Sequence, residues 1–186
     1  YPMSVEIRIR REQLTKARSL VANLGLILSG RQPDKLQIRD AFWGAFIHSL
    51  SQKIHTSYLK RSQGTADDLG NTWQPLDPAT IKRRLSPSIQ RKFPLAGEGL
   101  IMRLSDDLSR SLSPGTFDGF QYVPASNQKF EINSQGITFG STLPYANRQN
   151  ASRELIPDNI EPWIVESLDV AAAHIIPLIQ SHLTSA

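Results

Sequence analysis

The residues that could most readily bind a metal ion or transfer a proton are the four histidines, His48, His55, His174 and His182. Two histidines bind one metal ion from a helix when they stand four residues apart, because that spacing brings both rings to one face. None of the four has a partner at that spacing, and about two helical turns separate His48 from His55. The histidines therefore predict no metal site.

Other groups that could support catalysis are equally sparse. The chain has no cysteine, which excludes disulfides, thiolate metal ligands and cysteine nucleophiles. It has no nucleophile-elbow motif and neither of the glycine-rich motifs that bind phosphates. The adjacent acids Asp67-Asp68 and Asp106-Asp107 fall in a predicted loop and a predicted helix, where we expect a solvated surface. These patterns predict a protein that is not an enzyme and has no cofactor.

Charge is distributed unevenly along the chain, whose formal net charge is +4. Residues 1–92 contain 16 basic and 7 acidic residues, whereas residues 93–186 contain 5 basic and 10 acidic ones. A basic half and an acidic half favour head-to-tail contacts between subunits, or a nucleic acid beside the basic half. A solvated basic face without a partner is the alternative.

Two groups of cations carry most of the positive charge. One consists of Arg8, Arg10, Arg11, Lys16 and Arg18, and the other of Lys82, Arg83, Arg84, Arg91 and Lys92. Such side chains attract phosphates without reading sequence. Neither helix-turn-helix spacing nor aromatic residues on a basic strand accompany them, so we expect nonspecific contact with DNA that passes nearby rather than sequence-specific binding.

Hydrophobic periodicity predicts the elements that position these residues. Alternation over 5–10 predicts a strand. The helix predicted next has Leu14, Ala17, Val21, Leu24 and Leu28 on one face and ends at Gly30. A second helix, from Pro33-Asp34 to about Arg61, carries two apolar stripes: Ile38, Phe42, Phe46 and Ser49, and Trp43, Ile47, Leu50, Ile54 and Tyr58. This width suits a helix that touches both its own sheet and an adjacent subunit, or one broad core face.

The remaining predicted elements are shorter. Residues 62–72 predict a loop, Asp77-Pro78 starts a helix that ends at Ser86-Pro87, and residues 86–98 are predicted to be irregular. Leucines at positions 100, 104, 108 and 112 predict a helix that Pro114-Gly115 ends. The β region has a strand in which Phe120 and Tyr122 alternate with other residues. A hairpin follows, with Phe130 and Ile132 alternating in one strand, a turn over 133–136, and Ile137 and Phe139 alternating in the return strand. A final helix contains Ile164, Leu168, Ala171, Ile175 and Ile179 on one face, and Pro177 kinks or shortens it.

These elements predict an α+β fold. We expect one domain over residues 1–186, with a small, mainly antiparallel sheet packed with long N-terminal helices and a C-terminal helix. No stretch approaches the roughly 18 consecutive apolar residues that span a bilayer, so we expect no membrane contact.

Four short motifs between residues 70 and 165 resemble the virion-morphogenesis (tail-completion) family of Mu-like and P2-like phages. The first is Trp73-Gln74-Pro75-Leu76-Asp77-Pro78-Ala79-Thr80, and a leucine-rich stretch over 100–112 follows it. A strand ending in Gly140-Ser141 then leads to Pro144-Tyr145-Ala146, and Ile156-Pro157 precedes the last helix. Arg148-Gln149 stands where the family usually has His-Gln. The resemblance divides the chain into an N-terminal strand and helices (1–62) and a family-like core (70–186).

The resemblance implies a structural virion protein of the phage neck. Such a protein completes or terminates the tail, or joins head to tail, as a homo-oligomeric ring, expected to be a hexamer, around the DNA channel. Its partners would be its own copies, other neck and tail proteins and genomic DNA, and it would assemble in the host cytoplasm. Candidates for the interface or DNA channel are Lys82, Arg83, Arg84, Arg91, Lys92, Tyr145 and Arg148, and the structural motif comprises Trp73, Pro75, Leu76, Thr80, Gly140 and Pro157. A cytosolic DNA-binding protein is the alternative.

Overall fold

Two long helices, α1 (Gln32–Ser62) and α6 (Glu161–Thr184), lie side by side and form the most extensive contact between helices among the described residues. The computed structural model describes residues 5–10, 32–101, 106–133 and 136–184. The helix predicted from Leu14 to Leu28 lies outside these residues. Helix α1 confirms the second predicted helix to within a residue at each end.

The segment 41–47 of helix α1 is surrounded by other elements of the chain. Seven consecutive residues, 41–47, are buried, which requires packing on every side of the helix. Helix α6 covers one side and also bonds to it through Ser49 Oγ and Ser167 Oγ, 3.1 Å apart. Helix α4 (Asp107–Leu112) and strands β2 (Thr116–Phe117) and β3 (Tyr122–Val123) also contact it. The apolar residues of both predicted stripes are therefore buried within this chain, and the broad core face is the correct interpretation.

The main sheet consists of three antiparallel strands, β1 (Val5–Arg10), β4 (Gln128–Asn133) and β5 (Gly136–Ser141). Strand β5 lies between β1 and β4. Phe139 of the central strand is fully buried, and it pairs with Ile7 on one side and Phe130 on the other. The predicted first strand and the predicted hairpin are both confirmed. Together with the helices, this sheet confirms the α+β class.

The strand predicted through Phe120 is shorter than expected. Asp118 Oδ1 accepts hydrogen bonds from the backbone N–H groups of Phe120 and Gln121, at 2.8 and 2.7 Å. These bonds bend the chain at Phe120, which is why β3 begins only at Tyr122. Strands β2 and β3 pair with each other as a separate antiparallel ribbon.

Short helices replace part of the predicted irregular segment. Helix α2 (Pro78–Arg84) is followed by α3 (Pro87–Lys92) and by a 3₁₀ helix (Pro94–Glu98). The prediction that residues 86–98 are irregular was wrong. A proline that follows one helix can also occupy the first position of the next, as Pro87 and Pro94 do here. Helix α4 begins at Asp107, later than predicted, and Ile101 instead ties its segment to the end of α1, because its N–H donates to Ser62 O at 2.7 Å. Helix α5 (Ala146–Ser152) was not predicted.

Helix α6 continues past Pro177 to Thr184, so the proline does not shorten it. By length and composition alone, the stretch Glu161–Ser181 is long and apolar enough to cross a membrane. Glu166 and Asp169 interrupt its apolar residues, which is why the sequence shows no long consecutive apolar run here. The buried side includes Trp163, Ile164, Ala171, Ile175 and Ile179, which belong to the same core as α1.

Candidate functional site

A buried arginine ties the end of α1 to the segment before α6. Arg61 is 1% exposed, and its Nη1 and Nη2 donate to Glu154 O at 2.7 Å and Leu155 O at 2.6 Å. Its guanidinium carbon lies 4.6 Å from the centre of the Trp73 ring. Trp73 Nε1 donates to the same Glu154 carbonyl at 3.0 Å. We call this group, with Asp67, the arginine hub.

Asp67 is the counter-ion of the arginine hub. Its Oδ2 lies 3.8 Å from Arg61 Nε and accepts a 2.6 Å hydrogen bond from Ser57 Oγ. Its Oδ1 accepts from the backbone N–H groups of Leu69 and Asn71. Burial alone would raise the pKa of Asp67, but these hydrogen bonds outweigh it, so the pKa lies below its ordinary value. The expectation that Asp67 is solvated was therefore wrong, whereas Asp68 is exposed and pairs with Lys60 at 2.5 Å.

The residues of the predicted structural motif lie in several parts of the fold, and only Trp73 is shown in contact with Arg61. Trp73 and Pro157 are buried, and Leu76 packs against the core, whereas Pro75 is exposed. Asp77 caps α2, since its carboxylate accepts from the Thr80 N–H and Oγ1 at 3.0 and 2.7 Å. Gly140 is buried in β5 and pairs with both neighbouring strands. The motif therefore places a buried tryptophan directly before an outward-facing helix pair.

The predicted basic cluster lies on that helix pair. We call residues 78–92, helices α2 and α3, the basic arm. Neither helix contains a buried residue, and Ile81 and Leu85 are 42% and 54% exposed. Four of the five predicted cations, Lys82, Arg83, Arg91 and Lys92, are exposed, and Arg84 is half-buried. Within the described residues, no carboxylate forms an ion pair with any of the five.

Arg84 reaches back from the basic arm to the body of the protein. Its Nη1 donates to Leu100 O at 2.5 Å, which is a neutral acceptor. Burial lowers the pKa of the Arg84 guanidinium, and the positive charges of Arg153 and Arg83 lower it further. The positive charge at this point is therefore not neutralised by the described part of the chain.

A cavity of about 290 Å³ lies beside the arginine hub. It is lined by Asn71, Thr72, Trp73, Gln74, Ser152, Arg153 and Glu154. Arg153 Nη2 donates to Gln74 O at 2.9 Å. Arg153 Nε is buried and makes no hydrogen bond to any described residue. This arginine follows α5 directly and was not predicted, because in the sequence it is a single cation far from the basic cluster.

Tyr145 and Arg148, the two other interface candidates, belong to a different part of the surface. Tyr145 is 40% exposed just before α5, and Arg148 is exposed within that helix. Helix α5 makes its main contact with β1 and ends at the Arg153 cavity. At about 1.5 Å per residue, the start of α5 lies roughly 10 Å from that end, so Tyr145 is set apart from Arg153.

One pair of side chains has the composition of a catalytic dyad. His55 Nε2 lies 3.0 Å from Ser109 Oγ and joins α1 to α4. Ser109 is 4% exposed, and a nucleophile must reach its substrate, so the pair is a packing contact between helices. Among the described residues, no group of three His, Cys, Asp or Glu side chains could hold a metal ion.

Comparison with known proteins gives no match, whether to family models, curated proteins or solved structures. The resemblance to the tail-completion family therefore depends on the sequence motifs alone.

Proposed function

We propose that this protein is a structural subunit of a phage neck, which completes or terminates the tail or joins it to the head. Its copies would form a ring around the channel through which DNA leaves the capsid, in contact with other neck and tail proteins. The ordered motifs around Trp73, Gly140 and Ile156-Pro157 support this proposal.

The basic arm is the single observation that carries the proposal. Helices of six or seven residues are marginal in water, and most helices are stabilised by packing an apolar face. Neither arm helix buries a residue, yet each contributes cations and the first also exposes Ile81. An element of this kind gains its packing from another molecule. Ring assembly through heterologous contacts supplies such a neighbour for every copy.

The same cations favour the second candidate function, a cytosolic DNA-binding protein. Unpaired lysines and arginines on one outward element are the arrangement that binds phosphates regardless of sequence. The two functions differ in the molecule that the basic arm contacts. A neck subunit needs the arm for assembly, whereas a DNA-binding protein needs it for a salt-dependent complex with free duplex.

Electron microscopy of a lysate from phage that lacks this gene tests the first function. We expect full heads beside separate or over-long tails, and complementation with the wild-type gene restores joined particles. The variant K82S/R83S/R91S/K92S should fail to complement, while R39S/R110S, which removes two exposed cations elsewhere, should succeed. Joined particles in the deletion lysate would refute the neck function. A wild-type mobility shift with duplex DNA that the arm variant abolishes would then support the second candidate.

A further inference from the structure

Helix α6 presents a partly apolar side to solvent. Its exposed residues Glu161, Val165, Asp169, Ala173 and Ile176 recur at steps of three and four, so they lie on one side of the helix, which we call the outer face. Val165 and Ile176 are 53% and 52% exposed. At about 1.5 Å per residue, the outer face is roughly 22 Å long. A continuous stripe of this kind favours an interaction surface over scattered exposure of single residues.

The outer face is also acidic. Glu161 and Asp169 form no ion pair with the residues that the structure describes, whereas the nearby Glu166 is paired with Lys53 of α1. Acidic groups without a partner in their own chain attract a positively charged surface and repel phosphates. A bilayer is disfavoured although the length and composition of α6 allow it, because Asp169 in the middle of the face would be costly to place in hydrocarbon.

The basic arm has the complementary composition. The Leu85 N–H donates to Ile81 O at 3.1 Å, so these two exposed apolar side chains lie on one side of α2. Lys82 and Arg83 stand between them, are exposed and form no ion pair with any described residue. The arm therefore combines apolar and cationic side chains, where the outer face combines apolar and acidic ones.

We infer that the basic arm of one copy of this chain packs on the outer face of α6 of the next copy. The inference rests on the neck function and names the two surfaces that would build its ring. Because the two surfaces differ, the contact is heterologous, and such contacts repeat from copy to copy until a ring closes. Arm helices of seven and six residues add up to roughly 20 Å, which the outer face accommodates.

An exchange of charges between the two surfaces tests this contact in the full chain. Sedimentation velocity of the wild type should show assemblies that dissociate as salt is added, because salt screens exposed charges. The arm variant K82E/R83E/R91E/K92E has two acidic surfaces, and the face variant E161K/D169K has two basic ones. We expect each variant alone to be monomeric. An equimolar mixture should recover assemblies of wild-type size, since each acidic arm then meets a basic face and each basic arm an acidic face.

Recovery in the mixture cannot come from misfolded variants, so it separates a contact from a loss of structure. The control R39E/R110E, which reverses two exposed cations outside both surfaces, should assemble as the wild type does. A mixture that stays monomeric, or a wild type that is monomeric at every concentration, would overturn the inference. Binding of phosphatidylcholine vesicles by a monomeric wild type, lost in V165S/I176S, would assign the outer face to a bilayer instead.

Introduced cysteines locate the contact, because the chain has none of its own. Under oxidation, L85C mixed with I176C should give a disulfide-linked dimer of one copy of each, while either variant alone should not. The double variant L85C/I176C should give a ladder of cross-linked assemblies. Q63C/I176C, with an exposed cysteine at the end of α1, is the matched control and should stay unlinked. Monomers alone in L85C/I176C would contradict the contact.

The outcomes also separate this contact from the neck function. Recovery in the charge-exchanged mixture together with joined particles in the deletion lysate would keep the contact and refute the neck. Separate heads and tails in that lysate without recovery in the mixture would keep the neck function and refute the contact.

Discussion

Arginine occupies two opposite environments in this protein, the arginine hub and the basic arm. In the hub, Arg61 is buried, donates to two backbone carbonyls, stacks on Trp73 and faces Asp67. In the arm, Arg83 and Arg91 are exposed and have no ion pair within the described ranges. Cations that stabilise the fold therefore differ from cations available to a partner in whether their hydrogen bonds are satisfied within the chain, and not in residue type.

Replacing Arg61 should break the hub and cause the largest effect. R61A leaves Asp67 buried without its counter-ion and removes the donors to Glu154 O and Leu155 O, so we expect a loss of about 3–5 kcal/mol in the free energy of unfolding. Urea denaturation measures it. R83A, the matched change in the arm, should stay within about 0.5 kcal/mol of the wild type, as surface substitutions usually do. A loss below about 1 kcal/mol in R61A would mean that the hub does not hold the two segments together.

Trp73 contributes a smaller share, which W73F isolates. Phenylalanine keeps an aromatic ring against Tyr58 but loses the Nε1 donor, and Glu154 O still accepts from Arg61. We therefore expect a loss of about 1–2 kcal/mol in unfolding free energy, from one hydrogen bond and some buried area. W163F, at the equally buried Trp163 of α6, is the control for ring size alone. Equal losses in both variants would show that the hydrogen bond adds nothing.

Lowering the pH should weaken the hub through Asp67. Its pKa in the folded state lies below the ordinary value of 3.8, so the folded protein binds the proton less readily than the unfolded chain does. The resulting stabilisation is complete above the unfolded pKa and is lost as the pH falls through the folded pKa. Urea midpoints measured downward from pH ~5 should fall less steeply in D67N than in the wild type. Parallel pH curves would show that Asp67 is not the group that titrates.

The sequence predicted the elements whose signals are local. Asp77-Pro78 specifies the start of α2 because the cap and the fixed proline geometry act within one turn. The β4–β5 hairpin follows from alternation around a short turn. The prediction of an irregular segment after Pro87 was wrong because proline occurs both after helix ends and at helix starts. The extended backbone at Ser86, which the sequence does not show, places Pro87 at the start of α3.

The hub and the cavity depend on contacts that the sequence does not display. Arg61 meets Glu154 and Leu155, which are 93 and 94 residues away along the chain. Nothing around Asp67 distinguishes it from Asp68, although one is buried and the other exposed. Arg153 lines the cavity because the neighbouring Glu154 carbonyl is held by hydrogen bonds from Arg61 and Trp73. The five clustered cations could be identified from the sequence, whereas Arg153 could be identified only from the fold.

The smallest predicted effect concerns the cap of the basic arm. D77A removes the acceptor for the Thr80 N–H and Oγ1, so the first turn of α2 loses its cap. Because no residue of α2 is buried, the helix opens without disturbing the core. Amide hydrogen exchange at Ile81 and Lys82 should therefore accelerate, while the urea midpoint of the whole protein stays at the wild-type value. A matched shift in that midpoint would mean that the arm unfolds together with the hub, and the contrast between the two regions would then fail.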